Sequence, residues 1–153
     1  MDGLALLIAD HNRVRGLFAR FRELQGNDDT PRMGELASRI FEELEVHTAL
    51  EEQILYPAVR DLSEELAEVV NEGVQEHHVV DVLIEEARTL KPGDAEWIAK
   101  VAVLIENVEH HAEEEETELF PTTKELRQRA SRQQIPGRST MSRDDLVATI
   151  DPR

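Results

Sequence analysis

Two short frames of the chain place a histidine and a glutamate where both could bind one ion. HTALEEQILYP spans residues 47–57 and HAEEEETELFP spans 111–121, and both read His, three residues, Glu-Glu, two residues, Leu, aromatic, Pro. Side chains four residues apart lie on the same helix face, so each frame presents an imidazole beside a carboxylate. Because the chain has no cysteine, a metal site would have to use such nitrogen and oxygen donors.

A further histidine precedes each frame. Asp10-His11 in the first half matches Glu76-His77 in the second, and the frames follow 36 and 34 residues after these histidines. This repetition indicates a duplicated helical hairpin, too short to be a solenoid array. Each half supplies two histidines and one glutamate, and the two sets are His11, His47 and Glu51, then His77, His111 and Glu115.

The neighbours of these histidines predict that their side chains are buried. His11 has Leu4, Leu7 and Ile8 before it at helical spacing. In each of the two doublets one histidine has to be chosen. His77 shares its face with valines and is favoured over His78, and His111 is favoured over His110, whose neighbours are acidic.

Two glutamates on apolar helix faces favour a metal site over an ordinary core. A lone histidine on such a face is usually a satisfied core residue. A buried carboxylate is different, because burying its charge is very costly unless the group is paired or binds a metal ion. Few arginines share the faces of Glu51 and Glu115, so we interpret the six residues as one cluster of metal ligands.

The composition of each set indicates which metal it would hold. A set of two imidazoles and one carboxylate that leaves coordination positions open is associated with non-haem iron that reacts with oxygen species. Two such sets facing each other would hold two irons, Fe2+ or Fe3+, roughly 3.5 to 4 Å apart, sharing a bridging carboxylate or an oxo or hydroxo bridge. The ferritin-like alternative uses Glu-x-x-His and is disfavoured, since no glutamate lies three residues before any of the six histidines.

Four apolar stripes at helical spacing predict the elements that carry these donors. The first helix should end at the turn-forming GNDDTP of residues 26–31. The later signals are Thr30 as an N-cap with Pro31 as first helical position, Pro57 as a kink or early end, Ser63 as a helix start, KPGD at 91–94 as a helix end and Asp94 as the last N-cap. Four helices of roughly 20 to 30 residues with short connections predict an all-α, up-down-up-down four-helix bundle over residues 1–127. Residues 128–153 lose the periodicity and are predicted to form a short, partly flexible tail.

Composition limits the classes of partner. A chain of 153 residues suits one domain, and its net charge of −16 repels phosphate backbones and anionic membranes, so we expect neither nucleic acid nor membrane as a partner.

The absence of cysteine and of a basic, apolar N-terminal segment leads us to expect a cytoplasmic protein. The oligomeric state stays open, and a monomer is compatible with the sequence.

The set of motifs resembles the hemerythrin-like proteins, also called HHE domains, whose four helices present His, His-x-x-x-Glu, His and His-x-x-x-Glu. The resemblance covers about residues 1–127. It implies iron ligands at the six positions already named, with the two glutamates as bridges.

Two departures from the family's oxygen carriers bear on function. Those proteins have another histidine four residues after the one on the third helix, where this chain has Asp81, and an aspartate five residues after the one on the fourth, where this chain uses His-x-x-x-Glu. A site poorer in histidine argues against reversible oxygen carriage. Tyr56 is matched by Phe120 in the other half; packing beside Pro57 is its favoured role, and a phenol that binds metal or takes part in redox chemistry is the alternative.

These features lead to one leading functional hypothesis and three others. The leading one is a di-iron protein that reacts with oxygen species and decomposes hydrogen peroxide in a catalase-like way. The second is reversible binding or sensing of O2 or NO, and the third is iron sensing or storage with folding coupled to metal binding. The fourth is a scaffold with no metal. The physiological substrate and reductant are not encoded in any motif.

Overall fold

The computed structural model describes residues 2–132 and 148, and the described chain folds as four long antiparallel helical rods. Its elements are α1 (Gly3–Gly26), α2 (Thr30–Leu50), the π-helical segment π1 (Glu51–Leu55), α3 (Tyr56–Arg60), α4 (Glu64–Thr89), α5 (Ala95–Glu114), the π-helical segment π2 (Glu115–Leu119) and α6 (Phe120–Arg132). No strand is present among these residues. The second rod comprises α2, π1 and α3, and the fourth comprises α5, π2 and α6.

Side-chain pairs between the rods establish the up-down-up-down order. Arg13 on α1 bonds Glu43 on α2, and Arg88 on α4 bonds Glu45 on α2. Lys100 near the start of α5 bonds Glu86 near the end of α4. Asn71 near the start of α4 bonds Arg60 at the end of the second rod, whereas Arg88 bonds Glu45 further back, so these two rods run in opposite directions. Arg15 and Arg22 on α1 bond Glu116 and Glu109 on the fourth rod, again in reverse order, as antiparallel packing requires. The predicted all-α four-helix bundle is therefore confirmed.

The helix starts agree with the sequence signals except at the second helix. Ser63 caps α4, and its hydroxyl accepts a hydrogen bond from the Leu66 amide at 3.1 Å. The N-cap of α2 is Asp29 rather than the predicted Thr30, which is already helical; the Asp29 carboxylate accepts from the Arg32 amide. Both residue types are good caps, and the carboxylate additionally faces the positive end of the helix dipole.

Pro57 does not end its helix, which corrects one of the two outcomes predicted for it, a kink or an early end. The rod continues through α3 to Arg60, and the ring of Pro57 is accommodated because the turn before it widens into π1. In that turn the amide of Tyr56 bonds the carbonyl of Glu51, five residues back instead of four. A proline removes one helical hydrogen bond, and a π turn is a known way of absorbing the disruption. Pro121 follows π2 in the same manner.

Two hydrophobic clusters fill the bundle, one on each side of a polar layer. The larger cluster includes Phe18, Phe41, Ile84 and Trp97, and all four are at most 3% exposed. The smaller cluster is formed by Leu4, Leu7, Leu55, Tyr56, Val59, Leu66, Val70, Leu119 and Phe120. On each rod the predicted metal ligands lie between residues of the two clusters. One predicted apolar neighbour of His11 does not join the core, since Ile8 is 37% exposed.

The predicted tail lies mostly outside the described residues. Helix α6 continues to Arg132, beyond the expected bundle boundary at residue 127, and of the remainder of 128–153 only residue 148 is described. Within the described residues no helix is long and apolar enough to cross a membrane.

Candidate metal centre

All six predicted ligands lie together in the polar layer of the bundle. His11 and His47 form one pair, with 3.0 Å between their Nε2 atoms, and His77 and His111 form a second pair with the same separation. All four imidazoles are at most 7% exposed. Among the doublets, His77 points inward while His78 is exposed, and the side chain of His110 is 68% exposed next to Glu114. Each rod therefore contributes one histidine to the layer.

Glu51 joins the two histidine pairs. Its Oε1 lies 2.8 Å from His47 Nε2, and its Oε2 lies 2.9 Å from His77 Nε2. The side chain is fully buried. One carboxylate thus presents one oxygen to each pair, which is the arrangement of a carboxylate able to bridge two ions.

Glu115 does the same from the opposite side of the layer. Its Oε2 is 3.3 Å from His11 Nε2 and its Oε1 is 3.3 Å from His111 Nε2. The helix register explains both glutamates, because each follows a histidine of its own rod by one turn. The duplicated hairpins therefore place their donors around one pseudo-twofold centre with two halves, the His11–His47 half and the His77–His111 half.

The outward nitrogens of the imidazoles face carboxylates that sequence reasoning missed. His11 Nδ1 donates to Glu116 and His77 Nδ1 to Glu52, both at 2.8 Å. His111 Nδ1 bonds Glu76, and His47 Nδ1 lies 3.6 Å from Asp10. A proton held on Nδ1 by a carboxylate leaves the Nε2 lone pair free to bind a metal ion and fixes the plane of the ring.

A signal for these carboxylates was present in the sequence. Each of these carboxylates is the sequence neighbour of a predicted ligand. Asp10 and Glu76 precede His11 and His77, and Glu52 and Glu116 follow Glu51 and Glu115. The repeated acid-His pairs and Glu-Glu doublets could have identified them. Their partners lie on other rods, however, and the spacing along the chain does not reveal those contacts.

Tyr56 makes the two halves of the centre different. It is 2% exposed, and its hydroxyl donates to Glu115 Oε1 at 2.8 Å. The same hydroxyl is 3.4 Å from Nε2 of both His77 and His111. Phe120 is the counterpart on the other side, stacked on His11 with ring centroids 5.8 Å apart, as Tyr56 is stacked on His77 at 5.4 Å. The role favoured from sequence for Tyr56 was packing beside Pro57. That role does not account for the contacts that the Tyr56 hydroxyl makes with Glu115, His77 and His111.

The π segments explain why these aromatic rings reach the centre. Tyr56 and Phe120 each lie five residues after a glutamate of the layer, immediately after π1 and π2. Five residues of α-helix would turn a side chain away from the glutamate's face, whereas a π turn returns the fifth residue to that face. The proline after each aromatic residue therefore affects the site indirectly, because the π turn that accommodates the proline also directs the aromatic ring towards the centre.

Charges within the layer shift the pKa values of its groups. Burial lowers the pKa of His47, but the negative charge of Glu51 and the contact with Asp10 outweigh it and raise the pKa to about 10. Burial is likewise outweighed at His11, His77 and His111, whose pKa values are all raised by carboxylates. The pKa of Glu51 is well below its usual value because the nearby imidazoles outweigh its burial. Burial and the charges of Glu51 and Glu115 raise the pKa of Tyr56, so the phenol stays protonated.

The donor set fits a bound metal. Among the described residues, both oxygens of Glu51 and Oε2 of Glu115 are buried and approach imidazole Nε2 atoms, but none of these contacts has the geometry of a hydrogen bond. Unsatisfied buried carboxylate oxygens are costly, and a cation between the histidine pairs would satisfy them. His11, His47, Glu51 and Glu115 offer atoms close enough for one ion, and Glu51, His77, His111 and Glu115 do so for another. The buried cluster thus has the chemistry of a metal-binding site.

Comparison with known proteins leads to the same kind of site. A protein described as a DNA nickase from Nostoc sp. (strain PCC 7120 / SAG 25.82 / UTEX 2576) is 32% identical over 111 residues, which is 72% of this chain and 30% of that protein. The chain therefore spans less than a third of the length of this relative. No solved structure matches the chain significantly. Residues 2–123 match the hemerythrin HHE cation binding domain, and the chain belongs to that family.

Proposed function

We propose that the six side chains hold two iron ions and that the protein decomposes hydrogen peroxide to water and oxygen. The observation that carries the proposal is the position of Glu51, which offers one oxygen to His47 and the other to His77 at nearly equal distances, 2.8 and 2.9 Å. Each half combines two imidazoles with shared carboxylates, a set suited to non-haem iron. Iron bound there would supply the ferrous–ferric electron transfers by which two peroxide molecules yield one O2 and two waters.

The protein's own groups prepare the centre for such a reaction. The carboxylates on Nδ1 orient the imidazoles and keep Nε2 free of protons once a cation competes for it. The hydrophobic clusters on both sides of the layer exclude bulk water. The hydroxyl of Tyr56 lies next to His77 and His111 and donates its one proton to Glu115, so it orients that carboxylate in the half where a small substrate would bind.

Catalysis is preferred to oxygen carriage because of the residues around the third rod. A carrier's additional histidine would fall at Asp81, which does not belong to the cluster of buried donors. The nickase relative does not alter this preference, since the chain covers only 30% of its length and a charge of −16 opposes contact with phosphates. A cytoplasmic location is part of the proposal and is suggested by the absence of cysteine.

Oxygen evolution tests the proposal. Protein loaded anaerobically with Fe2+ and mixed with hydrogen peroxide should release O2 at an electrode well above an iron-only blank. His111→Ala should abolish most of the release, whereas the matched control His110→Ala, which removes an exposed imidazole, should retain it. No release from iron-loaded protein would reject the catalase-like activity. If reduced protein instead shows a reversible spectral change with O2, reversible binding or sensing replaces it.

A further inference from the structure

An acidic opening leads from solvent to only one half of the centre. Four carboxylates surround it, and we call them the acidic mouth: Glu72 and Glu76 on α4, Glu114 on α5 and Glu118 on π2. Behind them lies a cavity of about 40 Å³, with Tyr56, His111 and Glu115 at its inner end. Space of this size holds one or more waters, so the His77–His111 half has a hydrated approach.

The approach to the other half is narrow, and its lining holds one arginine and one glutamate, Arg15 and Glu109. The cavity next to His11 and His47 measures about 10 Å³, at or below the space that one water needs. Arg15 lines it and bonds Glu116 at 2.9 Å, and Arg13 bonds Asp10 at 2.7 Å. Both carboxylates that face the outward nitrogens of this half are thus paired with guanidinium groups.

A buried group at the inner end of the acidic mouth connects it with cation binding. Glu115 lines the cavity and is 3% exposed. Its Oε1 faces His111 Nε2 at 3.3 Å, whereas its Oε2 faces His11 in the other half. Next to it, Glu51 Oε2 lies 2.9 Å from His77 Nε2, and this fully buried oxygen has no hydrogen-bond partner among the described residues. A surface ring of carboxylates is commonly only solvated, but this one leads to the buried carboxylate of Glu115 and the imidazole of His111, in the half that holds the unsatisfied oxygen of Glu51.

We propose that divalent cations reach the centre through the acidic mouth and occupy the His77–His111 half first, before the His11–His47 half. The inference rests on the proposed metal-binding role but not on iron or peroxide as such. A cleft lined by one sign of charge concentrates counter-ions and raises their rate of association roughly 10- to 1,000-fold at low salt. The lining of the other approach has one arginine and one glutamate and so gives no such attraction, and the oxygen of Tyr56 adds a donor that Phe120 cannot supply.

Uptake kinetics test the route. The probe is Co2+ alone, mixed with the metal-free full chain in a stopped-flow instrument at low and high salt. The variant Glu72→Gln/Glu114→Gln/Glu118→Gln removes three charges of the mouth and keeps Glu76, which bonds His111. Glu35→Gln/Glu42→Gln/Glu85→Gln removes three exposed charges elsewhere and is the matched control. The mouth variant should bind at least about tenfold more slowly at low salt and approach the wild type at high salt, because salt screens the attraction. Equal rates for the two variants would overturn the route.

Stepwise titration tests the order. Tyr56 is the only tyrosine of the chain, so its near-ultraviolet absorption reports on the His77–His111 half. The first equivalent of Co2+ should complete the change of this band, and the second should hardly affect it. His47→Ala should keep the first binding step. His111→Ala should weaken it by more than about 100-fold, since even the outer hydrogen-bond partner of a ligand is worth roughly 10- to 100-fold in affinity.

The outcomes separate this inference from the proposed function. If the wild type binds two Co2+ but His111→Ala keeps the tight first step while His47→Ala loses it, the order is reversed and only the inference fails. If both variants lose all binding, the two ions bind as one unit and the order again fails. If the wild type binds no Co2+, the metal-binding proposal itself falls, and the inference falls with it.

Discussion

The substitution Gly73→Ala would test how the centre holds its phenol. Gly73 is buried in α4, and a Cβ atom there would lie 2.6 Å from the Tyr56 hydroxyl oxygen and 3.1 Å from Cζ. Ordinary contact begins near 3.4 Å, so the hydroxyl must retreat by about 0.8 Å. The bond from Tyr56 to Glu115 measures 2.8 Å and would lengthen to about 3.6 Å, beyond hydrogen-bonding range.

The expected size of the effect follows from two opposing contributions. Losing a hydrogen bond to a charged group costs about 1.5 to 3 kcal/mol. Replacing glycine by alanine inside a helix raises the free energy of unfolding by roughly 0.5 to 1 kcal/mol. Gly73→Ala should therefore lower the free energy of unfolding of the metal-free protein by about 0.5 to 2.5 kcal/mol. With Tyr56→Phe already present, the oxygen is gone and only the Cζ contact needs a small adjustment, so the same substitution should be neutral or stabilising.

Urea unfolding of the four proteins in this cycle measures the coupling between the two positions. Single variants that interact through one bond should give a coupling energy of about 1.5 to 3 kcal/mol. Ultraviolet resonance Raman spectra of the only tyrosine should show a weakened hydrogen bond in Gly73→Ala. The reasoning is refuted if Gly73→Ala changes stability equally with Tyr and with Phe at position 56.

Two further effects can be measured on the metal centre. The pKa of His47 is raised to about 10 from 6.5, so its protonated form stabilises the metal-free fold fully below about pH 6.5, and that stabilisation is lost as the pH rises towards 10. Urea unfolding should accordingly show metal-free stability falling between these pH values, with a shallower slope in His47→Gln; an unchanged slope would contradict the assignment. Glu52→Gln should weaken Co2+ binding about 10- to 100-fold by removing the carboxylate on His77 Nδ1, whereas Glu35→Gln should not, as isothermal titration would reveal.

The helical faces of the donors could be predicted because they depend on local spacing. His47 and Glu51 share a face through the four-residue repeat alone, and the duplicate at His111 and Glu115 repeats the evidence. The choice between the members of each doublet was possible for the same reason, since the neighbours three and four residues away differ in polarity. Fold class and the membership of the polar layer therefore follow from short-range pattern.

Features that depend on the packing between rods could not be predicted in the same way. The contact of Glu76 with His111 joins residues 35 apart in sequence, and that of Glu116 with His11 joins residues 105 apart. The π turn before Pro57 was missed because a proline in a helical pattern usually signals a kink or an end. That single backbone change turns Tyr56 towards the centre, so a role for its hydroxyl could be raised from sequence but not decided.

Native mass spectrometry of the iron-reconstituted chain tests the central claim most directly, because it counts ions per molecule. The claim is that six inward side chains hold two ions between two bridging carboxylates. The wild type should carry two irons, and Glu51→Ala, which removes the carboxylate that faces His47 and His77, should lose at least one of them. A wild type without iron, or a Glu51→Ala variant that still carries both ions, would contradict the account.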